Sequence, residues 1–347
     1  MEKKKLSVCI LGATGSVGQK LIRLLHDHPW FEIQTLAASD RSAGRTYAEA
    51  VHWLEPTPLP PSVSGIKVVS VDSVQECDLV FSALDSNTAR RVEPLLVAAG
   101  NSVVSNASAQ RMDPAVPLVV PEVNPDHLEL IRGRNGGCIV TNPNCATVGL
   151  VLALKPLVDR FGVEAVDVTT LQAVSGAGYP GVPAMDILSN VIPYIDGEAD
   201  KLGEEPGKIF GRIRDLTIEP LPMTVSAQVT RVPVVDGHLL SISVKLGRSA
   251  TAEEALVTFE EFKSPLEGLD LPSAPERPVV MLAGEADPQP RLHSGLAGGM
   301  AVSIAQVRAC PVLDLRFVAL VHNTLRGAAG AAVLNAELMV AKGLVNR

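Results

Sequence analysis

No apolar run in the chain approaches the roughly 20 residues that a membrane-spanning helix needs, and the basic excess of a nucleic-acid or anionic-membrane binder is also missing. Lys and Arg number 30 against 38 Asp and Glu, a net charge of −8, with a pI near 5.4. That balance argues against either surface as the main partner. Cysteine is sparse: five residues, an odd number with no CxxC or other metal-binding spacing, which suits reduced thiols rather than a disulfide framework. The seven histidines are scattered. His26 and His28 stand two apart, the wrong interval for one helix face, so no metal centre is expected. A secretory signal is imitated by Lys3-Lys4-Lys5 and the apolar Leu6–Leu11, but the run stops at Gly12 with no small-residue cleavage site. A first strand is the better reading. A cytoplasmic protein is therefore expected.

What the chain does have is length and apolar content. With 347 residues, 46% of them hydrophobic, and 26 prolines, it predicts an ordered protein of two domains, because one core rarely serves so many residues. Leu6–Leu11 reads as a strand, Gly12-Ala13-Thr14-Gly15-Ser16-Val17-Gly18 as a glycine-rich turn, Gln19–His28 as a helix, and Phe31–Ala37 as a second strand. This is a βαβ unit of the kind that seats a dinucleotide: glycines let backbone approach the pyrophosphate, and N–H groups at the helix start hold its charge. The second strand runs out into Ser39-Asp40-Arg41-Ser42. Arg41 with Ser39 and Ser42 suits the 2′-phosphate of NADP, whereas Asp40 could point at a ribose instead. Further strands are expected at 77–83, 102–105, 118–124 and 138–141, with a helix at 88–99 and a proline-rich surface excursion at 52–65. Ser82 closes one of those strands on the edge where a doubly wound fold binds its ligand.

A candidate nucleophile lies in Thr141-Asn142-Pro143-Asn144-Cys145-Ala146-Thr147. Strand, turn and helix follow in that order, so Cys145 stands at a helix N-terminus. The free N–H groups and the macrodipole there favour thiolate, and they could also hold an oxyanion. Free cysteine is equally at home as a small buried hydrophobe, and the stretch alone leaves both readings open. Beyond this helix the pattern alternates at 163–174, 228–234 and 239–246, the last two joined across Asp236-Gly237 as a predicted hairpin. A more antiparallel second domain follows, one face covered by helices or a partner subunit. A last Ala-rich helix from Gly327 is expected to pack back on the first domain. Candidate helpers are Gln172 at a strand end before the bare loop Ser175-Gly176-Ala177-Gly178, Arg111 as an anion ligand or an ordinary surface arginine, and Glu198 with Lys201 as a ligand-facing pair or a surface salt bridge. Arg231 and His238, on the two arms of the hairpin, could grip a carboxylate and move a proton.

Taken in order, the glycine turn, Ala-Ser-x-Arg-Ser-Ala-Gly at 38–44, Ser-Asn-Ala-Ser-x-x-Arg-Met at 105–112, Pro-Asn-Cys-x-Thr at 143–147, Ser-Gly-Ala-Gly at 175–178, Arg-Val-Pro-Val with His238, and His-Asn-Thr-x-Arg-Gly-Ala-Ala-Gly at 322–330 resemble the aspartate-semialdehyde dehydrogenases over nearly the whole chain. The wording is similar to the archaeal and fungal branch. The resemblance implies an α/β protein with a Rossmann-type NADP domain at 1–144, completed by a C-terminal helix at 324–347. A catalytic and dimerisation domain of α+β type, with a mixed, largely antiparallel sheet, is implied at 145–323. It also implies reductive dephosphorylation of 4-phospho-L-aspartate to L-aspartate 4-semialdehyde through a Cys145 thioester, in the synthesis of lysine, threonine, methionine and isoleucine, by a homodimer or homotetramer.

By the same resemblance His238 is the acid/base, Gln172 and Asn144 orient the acyl group, and Arg231 and Glu198 hold the substrate carboxylate and amine. Lys201 and Arg111 hold phosphate. Gly12, Thr14, Gly15, Ser16 and Val17 take the pyrophosphate and ribose, Ser39, Arg41 and Ser42 the 2′-phosphate, Ser82 the adenosine half, and Gly176 and Asn323 the nicotinamide. Malonyl-CoA reductase, which shares the branch, and a catalytically silent NADP sensor are the alternatives. Glu198, suited to an ammonium, favours the amino-acid substrate over the first, and Cys145 with His238 speaks against the second.

Overall fold

The computed structural model describes residues 4–133 and 136–345, so the outermost ends of the two expected domain limits lie outside the described residues. Two six-stranded sheets organise the chain. The first is wholly parallel and contains β1 (Leu6–Leu11), β2 (Phe31–Ala38), β3 (Val69–Ser70), β4 (Leu79–Ser82), β5 (Ser102–Ser105) and β6 (Cys138–Thr141). Their order is 3-2-1-4-5-6, the doubly wound arrangement whose ligand crevice opens where β1 and β4 part company. Near-continuous Val, Ile and Leu suit strands buried on both faces. Leu11 pairs with Ala37 and Ser82, Ser82 with Ser105, and Ser105 with Thr141. The carboxyl ends are thus level, and every following loop opens on one edge.

Helix α1 (Ser16–Leu25) begins three residues earlier than expected, because Gly18 belongs to it: a Cβ there would stand 2.2 Å from the Gly12 carbonyl oxygen. Short helices α2 (Tyr47–Ala50) and α3 (Pro61–Ser64) lie in the excursion before β3, and α4 (Ser86–Ala98) joins β4 to β5. The strand expected at 118–124 reduces to a bridge between Leu118 and Thr141. Its backbone then turns back on itself, with Val123 and Asn124 N–H donating to the Val120 carbonyl.

Helix α5 (Cys145–Phe161) passes into the second half. It is apolar on nearly every side and packs with the second sheet, tightly enough that a Cβ on Gly149 would lie 2.8 Å from Val321 Cβ. That sheet contains β7 (Val163–Gln172), β10 (Thr224–Arg231), β11 (His238–Leu246), β12 (Val279–Met281), β13 (Val302–Ala309) and β14 (Leu315–Val321), while β8 (Arg212–Arg214) and β9 (Thr217–Glu219) form a separate pair. Its order is 10-7-11-14-13-12, with antiparallel pairs outnumbering parallel ones. The predicted hairpin is corrected here. Gly237 does turn the chain at φ +99°, but β10 and β11 are not neighbours, because β7 lies between them, parallel to one and antiparallel to the other.

Helices α6 (Ala184–Ile187), α7 (Glu198–Ile209), α8 (Ala252–Glu260) and α9 (Pro290–His293) complete this half. A π-helical turn at Leu325–Ala329 then leads into α10 (Gly330–Ala341), whose Ala332, Val333, Leu334 and Leu338 are buried with the β1 and β2 side chains of the first sheet.

Candidate active site

Between the sheets lies a cleft of about 790 Å³, lined on one side by Gly15, Ser16 and Val17 and on the other by residues of both halves around Cys145. The insertion of β7 between β10 and β11 decides what meets there. Arg231 pairs with Gln172 across β10 and β7, and Leu239 pairs with Leu171 across β11 and β7. The end of β7 therefore lies between the guanidinium and the imidazole, with Ala173 accepting from Arg231 at its carbonyl and donating to His238 from its N–H, an arrangement a simple hairpin would not produce.

Cys145 is the first residue of α5 and half-buried. Its Sγ lies 3.2 Å from His238 Nε2. The Ala173 N–H donates to His238 Nδ1 at 3.0 Å, so in the neutral ring the proton resides on Nε2 and faces the sulfur. Burial, then the charges of Arg231 and His322, pull His238 down to about 3. Burial, then the Glu198 carboxylate, push the Cys145 thiol up to about 12, against the opposing pull of Arg111, the Ala146 N–H and Arg231. In the resting cleft desolvation and a neighbouring carboxylate therefore work against the expected helix-terminal thiolate.

The expectation that the same amides hold an oxyanion changes as well. Asn144 Oδ1 already accepts from Ala146 N–H at 3.0 Å and Thr147 N–H at 3.4 Å. With thiol and imidazole both neutral, alkylation of Cys145 by iodoacetamide, read on its own peptide by mass spectrometry, should climb roughly tenfold per pH unit between about pH 7 and 10 without levelling. A plateau below about pH 8 would show a thiolate and mean that burial and the Glu198 charge do not hold the thiol up.

The other expected side chains gather around this pair. Glu198 Oε1 accepts from Lys201 Nζ at 2.8 Å, and its Oε2 accepts from Asn144 Nδ2 at 2.8 Å and Gln172 Nε2 at 3.5 Å. The pair at 198 and 201 is therefore part of the cleft wall rather than a solvated surface bridge. Arg231 is buried and donates to the Ala173 carbonyl at 2.7 Å. Arg111, also buried, donates from NH1 to Glu205 at 2.9 Å and from NH2 to the Asn106 carbonyl at 2.7 Å. Its Nε is buried without a partner among the described residues.

Two glycines are dictated by this crowding. A Cβ on Gly176 would lie 2.9 Å from Arg231 NH1 and 3.3 Å from His238 Cε1, and one on Gly327 would lie 2.6 Å from Cys145 Cβ.

The nucleotide side also has the features a dinucleotide requires. No side chain caps the first turn of α1, so its N–H groups face the cleft ready for an anion. Gly12 takes φ +71°, and a Cβ there would stand 2.5 Å from the Ala83 carbonyl oxygen. Thr14 is half-buried in the same turn. Ser39 and Arg41 are exposed at the end of β2 with Ser42 folded back, its N–H bonded to the Ser39 carbonyl at 2.8 Å. Asp40 Oδ1 accepts from Ser70 Oγ at 2.6 Å, which ties it to β3.

Asn323 lines the cleft, but both ends of its amide are engaged, Nδ2 donating to Ser175 Oγ and Oδ1 accepting from Gly237 N–H. Ser82 ends β4 as expected but is fully buried on the Glu93 side and is not part of the cleft wall. The residues that follow it, Ala83, Leu84 and Asp85, line the cleft. Sequence reasoning also passed over Glu205, Lys208 and Gly327. The first two continue the Glu198 and Lys201 stripe at helical spacing, a signal that was present.

A doubly wound nucleotide sheet and, in the wall of the same cleft, a thiol in contact with a buried imidazole define an oxidoreductase acting on an acyl or aldehyde carbon. Two family models match the chain: "Semialdehyde dehydrogenase, NAD binding domain" over residues 7–131 and "Semialdehyde dehydrogenase, dimerisation domain" over residues 154–326. The aspartate-semialdehyde dehydrogenase of Archaeoglobus fulgidus is 47% identical, covering 98% of this chain and all of its own. That of Schizosaccharomyces pombe is 45% identical over 97% and 99%. The crystal structure of the Candida albicans enzyme with NADP superposes with a TM-score of 0.93 at 42% identity, covering 98% of this chain and 100% of that one. The chain belongs to the semialdehyde dehydrogenase family, in its archaeal and fungal aspartate-semialdehyde dehydrogenase branch.

Proposed function

We propose that the chain catalyses NADPH-dependent reductive dephosphorylation of 4-phospho-L-aspartate to L-aspartate 4-semialdehyde and the reverse, phosphate-dependent oxidation. The observation that carries this reading is the 3.2 Å contact between Cys145 and His238 in a cleft where Arg111, Lys201 and Arg231 face Glu198. Three cations and a carboxylate complement a substrate that bears a phosphoryl group, a carboxylate and an ammonium. Sγ attacks the acyl carbon, and Arg111 and Lys201 hold the departing phosphate. Arg231 forks onto the α-carboxylate, Glu198 takes the ammonium, and the Gln172 and Asn144 side chains orient the acyl oxygen. Bound NADPH supplies the hydride. The thiol proton leaves with the phosphate, and the hydride step takes up one proton from solvent, which the His238 imidazole beside the sulfur guides to the substrate oxygen and back to sulfur as the thiohemiacetal collapses to the aldehyde.

Oxidation of L-aspartate 4-semialdehyde with NADP, run with and without inorganic phosphate, is the direct test. Turnover that requires phosphate is the expected result; turnover of malonyl-CoA instead would overturn the substrate. For Glu198 a malonyl group offers no ammonium, which is why the amino-acid substrate is preferred.

Gly12, Thr14, Gly15, Ser16 and Val17 would hold the pyrophosphate and adjoining ribose, Gly176 with Asn323 the nicotinamide side, and Ser39, Arg41 and Ser42 the 2′-phosphate. Arg41→Ala should then weaken NADPH by roughly 10- to 100-fold, the worth of a charged hydrogen bond, and leave NADH nearly unchanged. Equal losses in a fluorescence titration of both nucleotides would move that contact elsewhere. A homodimer or homotetramer belongs to the same proposal. Support for it comes from Met185 of α6 and from Leu188, Val191 and Tyr194 of the segment that leads to α7, large apolar side chains all exposed, with Met185 89% exposed. The five free thiols suit a reducing cytoplasm.

A further inference from the structure

Helix α7 reaches the site with more than the two residues that line the cleft. Glu198, Lys201, Glu205 and Lys208 follow one another at intervals of three, four and three, one stripe of a 3.6-residue helix. Glu205 is 1% exposed. Its Oε1 accepts from Arg111 NH1 at 2.9 Å, and its Oε2 accepts from the Asn144 backbone N–H at 2.7 Å. Lys208, equally buried, donates from Nζ to the carbonyls of Arg111, Asp113 and Val116. Three acceptors match the three protons of an ammonium, so α7 grips the Arg111 loop by its backbone while Glu205 grips its side chain.

A buried carboxylate is costly unless both oxygens are matched by donors. Here one donor is the Arg111 guanidinium, which lines the cleft, and the other is the N–H of the residue that precedes the nucleophile.

We propose that Glu205 is a positioning residue that sets the distance between the phosphate-binding guanidinium and the nucleophile turn, one oxygen on each. The inference rests on reading Arg111 as the phosphate ligand. Glutamine at 205 would keep one acceptor and turn an NH₂ group toward the other donor, so one of the two tethers is lost.

The test is kinetic, in the phosphate-dependent direction, with Glu205→Gln, Arg111→Lys and the double variant. Glu205→Gln should raise the phosphate KM by about tenfold and lower kcat, while the KM for the semialdehyde and the dissociation constant of NADP stay within about twofold, a split that a general loss of packing would not produce. Because Glu205 acts through Arg111, the double variant should show a phosphate KM no more than about twofold above that of Arg111→Lys alone. If Glu205→Gln fails to bind NADP, Glu205→Asp, too short to reach both donors, is read in its place with the same expectation.

An unchanged phosphate KM in the Glu205 variant, with a raised one in Arg111→Lys, overturns the inference and leaves the phosphate reading standing. A lowered KM does the same, by showing that Glu205 competes with phosphate for the guanidinium. If Arg111→Lys itself leaves the phosphate KM unchanged, both fall.

Discussion

Cys145→Ser should bind NADP like the wild type and turn over more slowly by a factor on the order of 10³ or more, the scale of losing a covalent nucleophile. The size of the effect follows from the resting state of the pair. With the thiol pushed up to about 12 and the imidazole pulled down to about 3, the site gains little from a preformed thiolate. It relies on the intrinsic nucleophilicity of sulfur and on the ease with which that proton leaves as the new bond forms. A hydroxyl is inferior on both counts, and the ester it would form accepts hydride less readily than a thioester. Serine nearly matches cysteine in size, so it respects the close packing of Gly327 against the Cys145 Cβ and leaves the α1 turn untouched. Steady-state rates and an NADP titration on the same preparation give the answer, and near-normal turnover would remove Cys145 from the chemistry.

The parts of this site that could be read in the sequence are those specified by neighbours in the chain. The glycine turn at 12–18, the strand–turn–helix around Cys145 and the pairing of Glu198 with Lys201 all depend on spacings of a few residues. Order and burial depend on partners far away. The turn at Asp236-Gly237 announces that the chain reverses but not which strand lies alongside, and β7 fills the gap because its own alternation offers a matching buried face. The protonation of the thiol is subject to a related limit: the dipole of α5 is a local property, whereas desolvation and the Glu198 charge that oppose it arrive from the second half of the molecule. Ser82 stands at the right strand end, with its side chain buried on the Glu93 side. Glu205 is different. Its helical spacing was visible, but a carboxylate seven residues beyond Glu198 looks like any solvated helix face until the loop of Arg111 is laid against it.

The connection between the C-terminal segment and the site can be broken at one carboxylate. Arg326 and Glu122 are both fully buried, with NH1 donating to Oε1 at 2.9 Å and NH2 to Oε2. Arg326 belongs to the π-helical turn whose next residue, Gly327, lies against Cys145, and such turns are frequent at functional sites. Glu122→Gln replaces one acceptor with a donor and leaves a buried cation without its counter-charge, a defect worth about 3–5 kcal/mol. In a chain of this size that corresponds to a loss of roughly 4–7 °C in Tm. Turnover measured well below the transition should fall too, since relaxation of the Arg326 turn shifts the residue packed on the nucleophile. The charge explanation has its own control, because Glu122→Leu combined with Arg326→Met removes both ions and keeps most of the volume. If the unpaired cation is the cause, the double variant regains most of the lost Tm. A single variant melting within about 1 °C of the wild type, a change of less than roughly 1 kcal/mol, would mean that this pair does not hold the turn beneath Cys145.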